Sequence, residues 1–338
     1  MDSVSQFALG AAVAVAALGD RVRPLRAVLW GGVLGTLPDL DVLIDHGDAV
    51  ANMVRHRAES HALLWLSLAA PVLAFGIAAL HRERDRFRRW WWAVWLALVT
   101  HPLLDAMTVY GTKLWLPFDG RAVGVGSLFV IDPLYTLPLL VGTGWCLWRR
   151  GDRRGRRANA LGLLLSTLYA GWSVGSQQVA LSVAERSLRA QGIVATDLLA
   201  TPAPLQTVLW RLLAATPQHL YEAHWSWCDG ERPLAWTRID RGAEHLTTLR
   251  EAPAVLALQA QSQGFWKCWR DGDTVLLADA RMGMEPRYVF TFEVGSAHSP
   301  VQPLEPTVLR RERLPLGDGL RWLWARMWGA AVPPLPLR

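Results

Sequence analysis

The amino-acid sequence predicts a multi-pass α-helical membrane bundle followed by a smaller β-rich (α+β) extracytoplasmic domain. Three observations lead there. Apolar runs of near-spanning length crowd the first half of a 338-residue chain that is 51% hydrophobic. Arginine clusters occupy alternate connections between those runs. Beyond about residue 200, short β-prone segments with turn residues between them replace the long runs.

In chain order, the candidate membrane segments are roughly 4–19, 26–45, 61–80, 90–109, 127–148 and 158–182. Segment 61–80 is the most uniformly apolar, whereas 4–19 and 26–45 are short or interrupted and could form a re-entrant or tilted pair. The first run has Asp2 ahead of it and no basic region, so it reads as a retained segment rather than a cleaved signal. Many of the 19 tryptophans sit at run ends or beside basic residues, as at Trp90-Trp91-Trp92, Trp145 and Trp148, which suits an interfacial belt. Arg21, Arg23 and Arg26, then Arg82 to Arg89, then Arg149 to Arg157 mark three connections as cytoplasmic. The remaining connections and the C-terminal half then lie on the other side.

The helical part is expected over residues 1–182 and the β-rich part over 183–338. Ala184 to Gln191 continues as an amphipathic helix, and Thr201-Pro202-Ala203-Pro204 breaks the chain. Strands are expected at 219–228, 234–240, 273–279 and 287–294, with a helix near 254–263. Asp279 with Arg281 reads as an exposed cross-strand pair. Trp322 to Trp328 is an amphipathic stretch that could lie on a bilayer or pack as a terminal helix.

The polar residues of the first half are not scattered. With the orientation above, Asp2 and Gln6, Asp39 and Asp41, His56, Glu59 and His61, His101 and Asp105, and Asp132 all fall in one layer at the outer ends of their segments. Ionisable groups at membrane depth are costly unless paired, hydrated or bound to metal, so a shared layer points to one site. His101 and Asp105 stand one helical turn apart on one face. Imidazole and carboxylate together are the ligands of catalytic zinc, and carboxylate-rich sites also take manganese or magnesium. Candidate metal ligands are therefore His56, His61, His101, Asp105, Asp39 and Asp41, with Glu59 as proton acceptor and Arg57 as anion clamp. Asp2, Gln6, Asp132 and Thr108 are expected around them.

Each group also has a structural reading. Asp39-Leu40-Asp41 after Pro38 suits a helix-end turn, and His56 and His61 suit interfacial positions with Arg55 and Arg57 on lipid phosphate. His101 with Asp105 could hold two helices together, and Asp132-Pro133 reads as a helix cap.

Several motifs together resemble the YdjM-like family. They are Met1-Asp2-Ser3-Val4-Ser5-Gln6, Gly35-Thr36-Leu37-Pro38-Asp39-Leu40-Asp41, His56-Arg57 with Ser60-His61, Thr100-His101-Pro102-Leu103-Leu104-Asp105 with Thr108-Val109-Tyr110-Gly111, and Ile131-Asp132-Pro133-Leu134-Tyr135-Thr136. The match covers about the first 150 residues. It implies a multi-pass protein of the bacterial inner (cytoplasmic) membrane and a metal-dependent hydrolase, with His56, His61, His101, Asp105, Asp39 and Asp41 as the family's polar positions. A looser resemblance to helical zinc phospholipases C and nucleases implies a lipid or envelope phosphoester as substrate. Gln6 stands where many relatives carry His, and Glu59 where an apolar or small residue is common.

Other classes are set aside on composition. The net charge of +6 lies in short tracts between apolar runs, which argues against a nucleic-acid partner and for membrane lipids. Three cysteines exclude a disulfide framework or a cysteine-rich zinc site, although Cys228 and Cys268 could pair. No GxSxG elbow, P-loop or GxGxxG occurs. The alternative function is non-enzymatic: a proton- or ion-coupled transporter, or an envelope assembly scaffold.

Overall fold

The computed structural model describes residues 1–296, 301–310 and 316–333. The chain forms two compact units. Met1–Leu43, His56–Gly175 and Pro204–Gln206 make the first; Ile44–Arg55, Ser176–Ala203 and Thr207–Arg338 make the second.

Helices run in the order α1 (Ser3–Leu18), α2 (Pro24–Thr36), α3 (Ala49–Arg55), α4 (Leu63–Leu80), α5 (Phe87–Ala106), α6 (Pro133–Trp148) and α7 (Arg153–Ala190). Their ends follow local chemistry. Asp2 accepts from the backbone N–H groups of Val4 and Ser5 to start α1, and Gly19, at φ 61°, lets the chain leave it. Pro24 opens α2 and Pro133 opens α6 at positions where a missing N–H costs nothing. Asp132 caps α6 by accepting from Leu134 and Tyr135.

α1 and α2 touch backbone to backbone. A Cβ on Gly10 would lie 2.2 Å from the Gly31 carbonyl oxygen, and one on Gly35 would lie 2.6 Å from that of Gln6. Behind this contact, Leu18, Ala70, Ile77, Trp90, Leu98 and Cys146 pack as one apolar core.

The second unit holds two antiparallel four-stranded sheets. One has the order β1 (Asp197–Pro202), β2 (Leu209–Ala215), β3 (His219–Ser226), β4 (Thr237–Asp240). The other has β10 (Gln302–Arg310), β9 (Thr291–Ser296), β6 (Thr274–Asp279), β5 (Trp266–Asp271). A short hairpin, β7 (Gly283–Met284) with β8 (Arg287–Tyr288), and the helices α8 (Pro253–Gln261) and α9 (Leu316–Met327) complete it. The segment Ile44–Arg55, although early in the chain, belongs to this unit. Asp48 accepts from Thr307 on β10 through both the backbone N–H, at 2.7 Å, and the hydroxyl, at 2.8 Å. Thr307 Oγ1 in turn accepts from the Val50 N–H at 3.1 Å.

The expected multi-pass bundle is not what forms. Among the described residues, only Ser3–Arg21 and Leu63–Leu80 are long and apolar enough to cross a membrane. The segment expected at 26–45 stops at Thr36 and continues as a 3-10 turn over Pro38–Leu43. Thirteen helical residues reach about 20 Å, against a hydrocarbon core of about 30 Å. α6 is similarly short at 16 residues. α5 opens on Arg88-Arg89 and carries His101 and Asp105, and α7 begins with four arginines in five positions, so neither is apolar enough. The helical N-terminal region and the β-rich C-terminal part do form.

Smaller departures follow the same pattern. β1, β2, β5 and β10 join the strands expected from sequence. Asp279 and Arg281 are buried and bonded to each other two residues apart, not across strands. Cys146, Cys228 and Cys268 are free thiols. In α9 Trp322 is buried and donates to the Pro333 carbonyl, whereas Trp324, and Trp328 just after the helix, are exposed.

Candidate metal centre

Four side chains from three stretches of chain converge in the first unit. Asp39 comes from the 3-10 turn after α2, His61 from the 3-10 turn Glu59–His61 ahead of α4, and His101 and Asp105 from the last turn of α5. Each offers one ligand atom, and all four atoms lie within 4.8 Å of one another. His61 Nε2 is 3.0 Å from His101 Nε2, 3.3 Å from Asp39 Oδ1 and 3.3 Å from Asp105 Oδ2. His101 Nε2 is 3.4 Å from Asp39 Oδ1 and 3.3 Å from Asp105 Oδ2. A tetrahedral zinc with bonds of about 2.0–2.1 Å has ligand-to-ligand edges of about 3.3–3.4 Å.

In the neutral tautomers with the proton on Nδ1, hydrogen bonds on the outer side of each ring leave the inner Nε2 atoms with lone pairs. His101 Nδ1 donates to the Gly35 carbonyl at 2.6 Å. His61 Nδ1 faces Ser60 Oγ at 2.8 Å, and that hydroxyl donates to Asp41 Oδ2 at 2.7 Å, so the ring nitrogen is the donor to Ser60. Both Nε2 lone pairs then point at each other, an arrangement that repels unless a cation lies between them. Asp39 Oδ1 and Asp105 Oδ2 are buried and accept no hydrogen bond. Buried carboxylate oxygens are normally satisfied, so the two orphaned atoms and the two lone pairs define a deficit of positive charge. The donor set fits a divalent cation.

The surrounding layer orients these ligands. Asp105 Oδ1 accepts from Gln6 Nε2 at 2.9 Å and pairs with Arg57 Nη2 at 3.2 Å and with the Met1 amine. Arg57, at φ 62°, also donates to Thr108 Oγ1 at 3.1 Å and lies over the Tyr110 ring at 5.0 Å. Asp41 accepts from His56 Nδ1 at 2.8 Å, from the Arg57 N–H at 3.0 Å and from Ser60. Burial would raise the Asp41 carboxyl, but the His56 and Ser60 hydrogen bonds outweigh it and hold it at about 2.

The sequence-derived candidates therefore separate. His61, His101, Asp105 and Asp39 meet at one point; Asp41 and His56 pair one layer out, where they fix His61 through Ser60. Arg57, expected as an anion clamp, spends its guanidinium on Asp105 and Thr108. Glu59 is exposed on the turn that carries His61. Gln6 bonds to Asp105 Oδ1 and Thr108 to the Asp105 carbonyl, whereas Asp2 and Asp132 cap α1 and α6. Sequence reasoning missed Ser60 and the Gly35 carbonyl as ring-orienting groups. The second had a signal, the spacing Gly31-x-x-x-Gly35, which lets two helix backbones meet.

Comparison with known proteins bears on the same region. Residues 1–180 match the model of a family described as YdjM inner membrane protein. The chain is 35% identical over 129 residues to "Inner membrane protein YbcI" of Escherichia coli (strain K12), covering 36% of this chain and 73% of that one. It is 25% identical over 178 residues to "Uncharacterized protein YfhP" of Bacillus subtilis (strain 168), covering 50% of this chain and 53% of that one. The chain thus spans about half the length of YfhP. No solved structure matches. The chain belongs to the YdjM family of inner membrane proteins.

Proposed function

We propose that this member of the YdjM family is a metal-dependent hydrolase acting on a phosphoester or other ester of a lipid or envelope substrate. The observation that carries the reading is the meeting of two imidazole Nε2 atoms with two buried carboxylate oxygens that have no hydrogen-bond donor. Two neutral imidazoles and two carboxylates balance a divalent charge, and zinc is the ion we propose, with manganese and magnesium as alternatives. Bound there, the ion supplies Lewis acidity for activating water and stabilising charge on a phosphoryl oxygen.

The chain's own groups do the rest. Asp41, Ser60 and Gly35 hold the two rings in the tautomers that present Nε2. Arg57 and Gln6 fix the Asp105 carboxylate through its other oxygen. Glu59, exposed on the His61 turn, is the proposed proton acceptor. By the charge rule, the arginines that follow α1 and α4 face the cytoplasm, so the metal centre and the C-terminal unit are assigned to the extracytoplasmic side.

The test is elemental analysis of the detergent-purified full chain beside His101→Ala, joined to assays with bis(p-nitrophenyl) phosphate and phospholipids. Near-stoichiometric metal and turnover in wild type, both lost in the variant, are expected. Metal in wild type with no turnover above the variant would leave a metal centre that is not hydrolytic. No metal after reloading with zinc, manganese or magnesium would remove the basis of the reading.

A further inference from the structure

At the far end of α1 from the metal centre, the first unit has a second polar recess. It is a half-open cavity of about 260 Å³ between the turn after α1, the start of α2 and the turn between α6 and α7. From Gln6 to Gly19 the helix rise places the two about 20 Å apart. The cavity is closed on one side where Gly151, at φ 74°, packs on Pro24; a Cβ there would come within 2.9 Å of the proline ring.

Its lining carries Arg21, Arg23, Arg150 and Arg156 against one acid, Asp20. Arg156 donates to the Gly151 carbonyl, and Arg21 lies 3.6 Å from Asp20. Among the described residues, Arg23 and Arg150 have no ion pair, and both are exposed at the rim. The nearby acid Asp152 is already taken by Arg149 at 2.6 Å. Four guanidiniums gathered around one recess repel one another unless an anion joins them.

The helices that contribute to the recess also carry exposed apolar side chains. Leu25 on α2 and Trp145 on α6, next in sequence to the lining residues Pro24 and Cys146, are exposed large hydrophobic side chains, as are Leu29 and Trp148 further along the same helices. A basic recess on helices with exposed tryptophan and leucine side chains matches a phosphate at headgroup depth with acyl chains beside it. A soluble anion would need the first and have no use for the second.

We propose that this cavity binds the phosphate headgroup of an anionic phospholipid. The site is independent of the hydrolase reading and uses none of its residues.

The experiment titrates the detergent-purified full chain with short-chain phosphatidylglycerol, phosphatidylcholine of the same chain length, and inorganic phosphate, following tryptophan fluorescence. Wild type should saturate with phosphatidylglycerol, at an affinity at least several-fold above that for phosphatidylcholine, and inorganic phosphate should neither bind nor compete. Arg23→Gln and Arg150→Gln should each weaken phosphatidylglycerol about fivefold, and Arg23→Lys and Arg150→Lys should restore it. Equal affinity for the two lipids, unchanged affinity in the double glutamine variant, or equal loss in glutamine and lysine variants would overturn the proposal. Saturation by inorganic phosphate with the same arginine dependence would also overturn it, by assigning the cavity to a soluble anion.

Discussion

Both units bury charge, and they do so in opposite ways. In the C-terminal unit Arg211 bonds to Glu222 and to the Ala280 carbonyl, Arg326 grips Asp229 through two nitrogens, and Arg281 closes on Asp279. Each of these carboxylates meets a guanidinium. In the first unit Asp39 and Asp105 each keep one buried oxygen with no donor, beside two imidazoles whose free nitrogens face each other. A charge cluster that is complete by itself holds a fold together; one that is incomplete by two acceptors and two lone pairs waits for a cation. Burial and charge alone do not separate the two cases. The buried carboxylate oxygens left without a donor do.

The comparison breaks most cleanly at the ligands. Asp105→Ala should abolish metal binding in protein that remains folded, read by elemental analysis and circular dichroism; retention of full metal would mean that the cluster is as self-contained as its counterpart. Arg211→Ala should do the reverse. It leaves Glu222 buried without its cation and should cost about 3–5 kcal/mol in denaturant unfolding while metal content stays unchanged. Asp41→Asn acts one layer out, where it weakens the hold on His56 and Ser60, and should reduce metal affinity about 10–100-fold by competition with a chelator.

A further effect is one of pH. Burial pushes His224 down to about 4, with Arg211 and Arg326 adding to it against Glu222. Its folded value lies below the unfolded value of 6.5, so the unfolded chain binds the extra proton between them. Stability should be complete above pH 6.5 and fall by about 3 kcal/mol as the pH drops toward 4. His224→Gln should flatten that slope. A slope unchanged in the variant would place the acid sensitivity elsewhere.

Much of this was legible in the sequence, for reasons that differ by region. His101 and Asp105 declared themselves through helical spacing in an apolar run, and the one-layer argument named Asp39 and His61, which lie beside them, together with Asp2 and Asp132, which cap helices. It did not choose between Asp39 and Asp41. A 3-10 turn repeats every three residues, so positions two apart point to different sides, and Asp39 faces the rings while Asp41 faces His56. Membrane segments were overcounted because run length was read without helix ends; the 3-10 turn at Pro38 and the arginines of α7 set the true limits. β2 escaped because Leu209–Ala215 is a continuous run buried on both faces, with no alternation to read. Pro202 read as a break, yet it sits at the end of an edge strand, where its missing N–H is tolerated.

The placement of Ile44–Arg55 has a consequence for anyone dividing this protein. Residues 1–180 look like a separable piece, since that is the length that matches the family. A fragment ending at 180 would nonetheless strip Asp48 and Val50 of Thr307, and it would do so in the connection whose two ends lead to Asp41 and His56. The boundary drawn by ancestry and the boundary drawn by packing do not coincide. Expression of the shorter piece would therefore report on a frayed loop as much as on a metal centre.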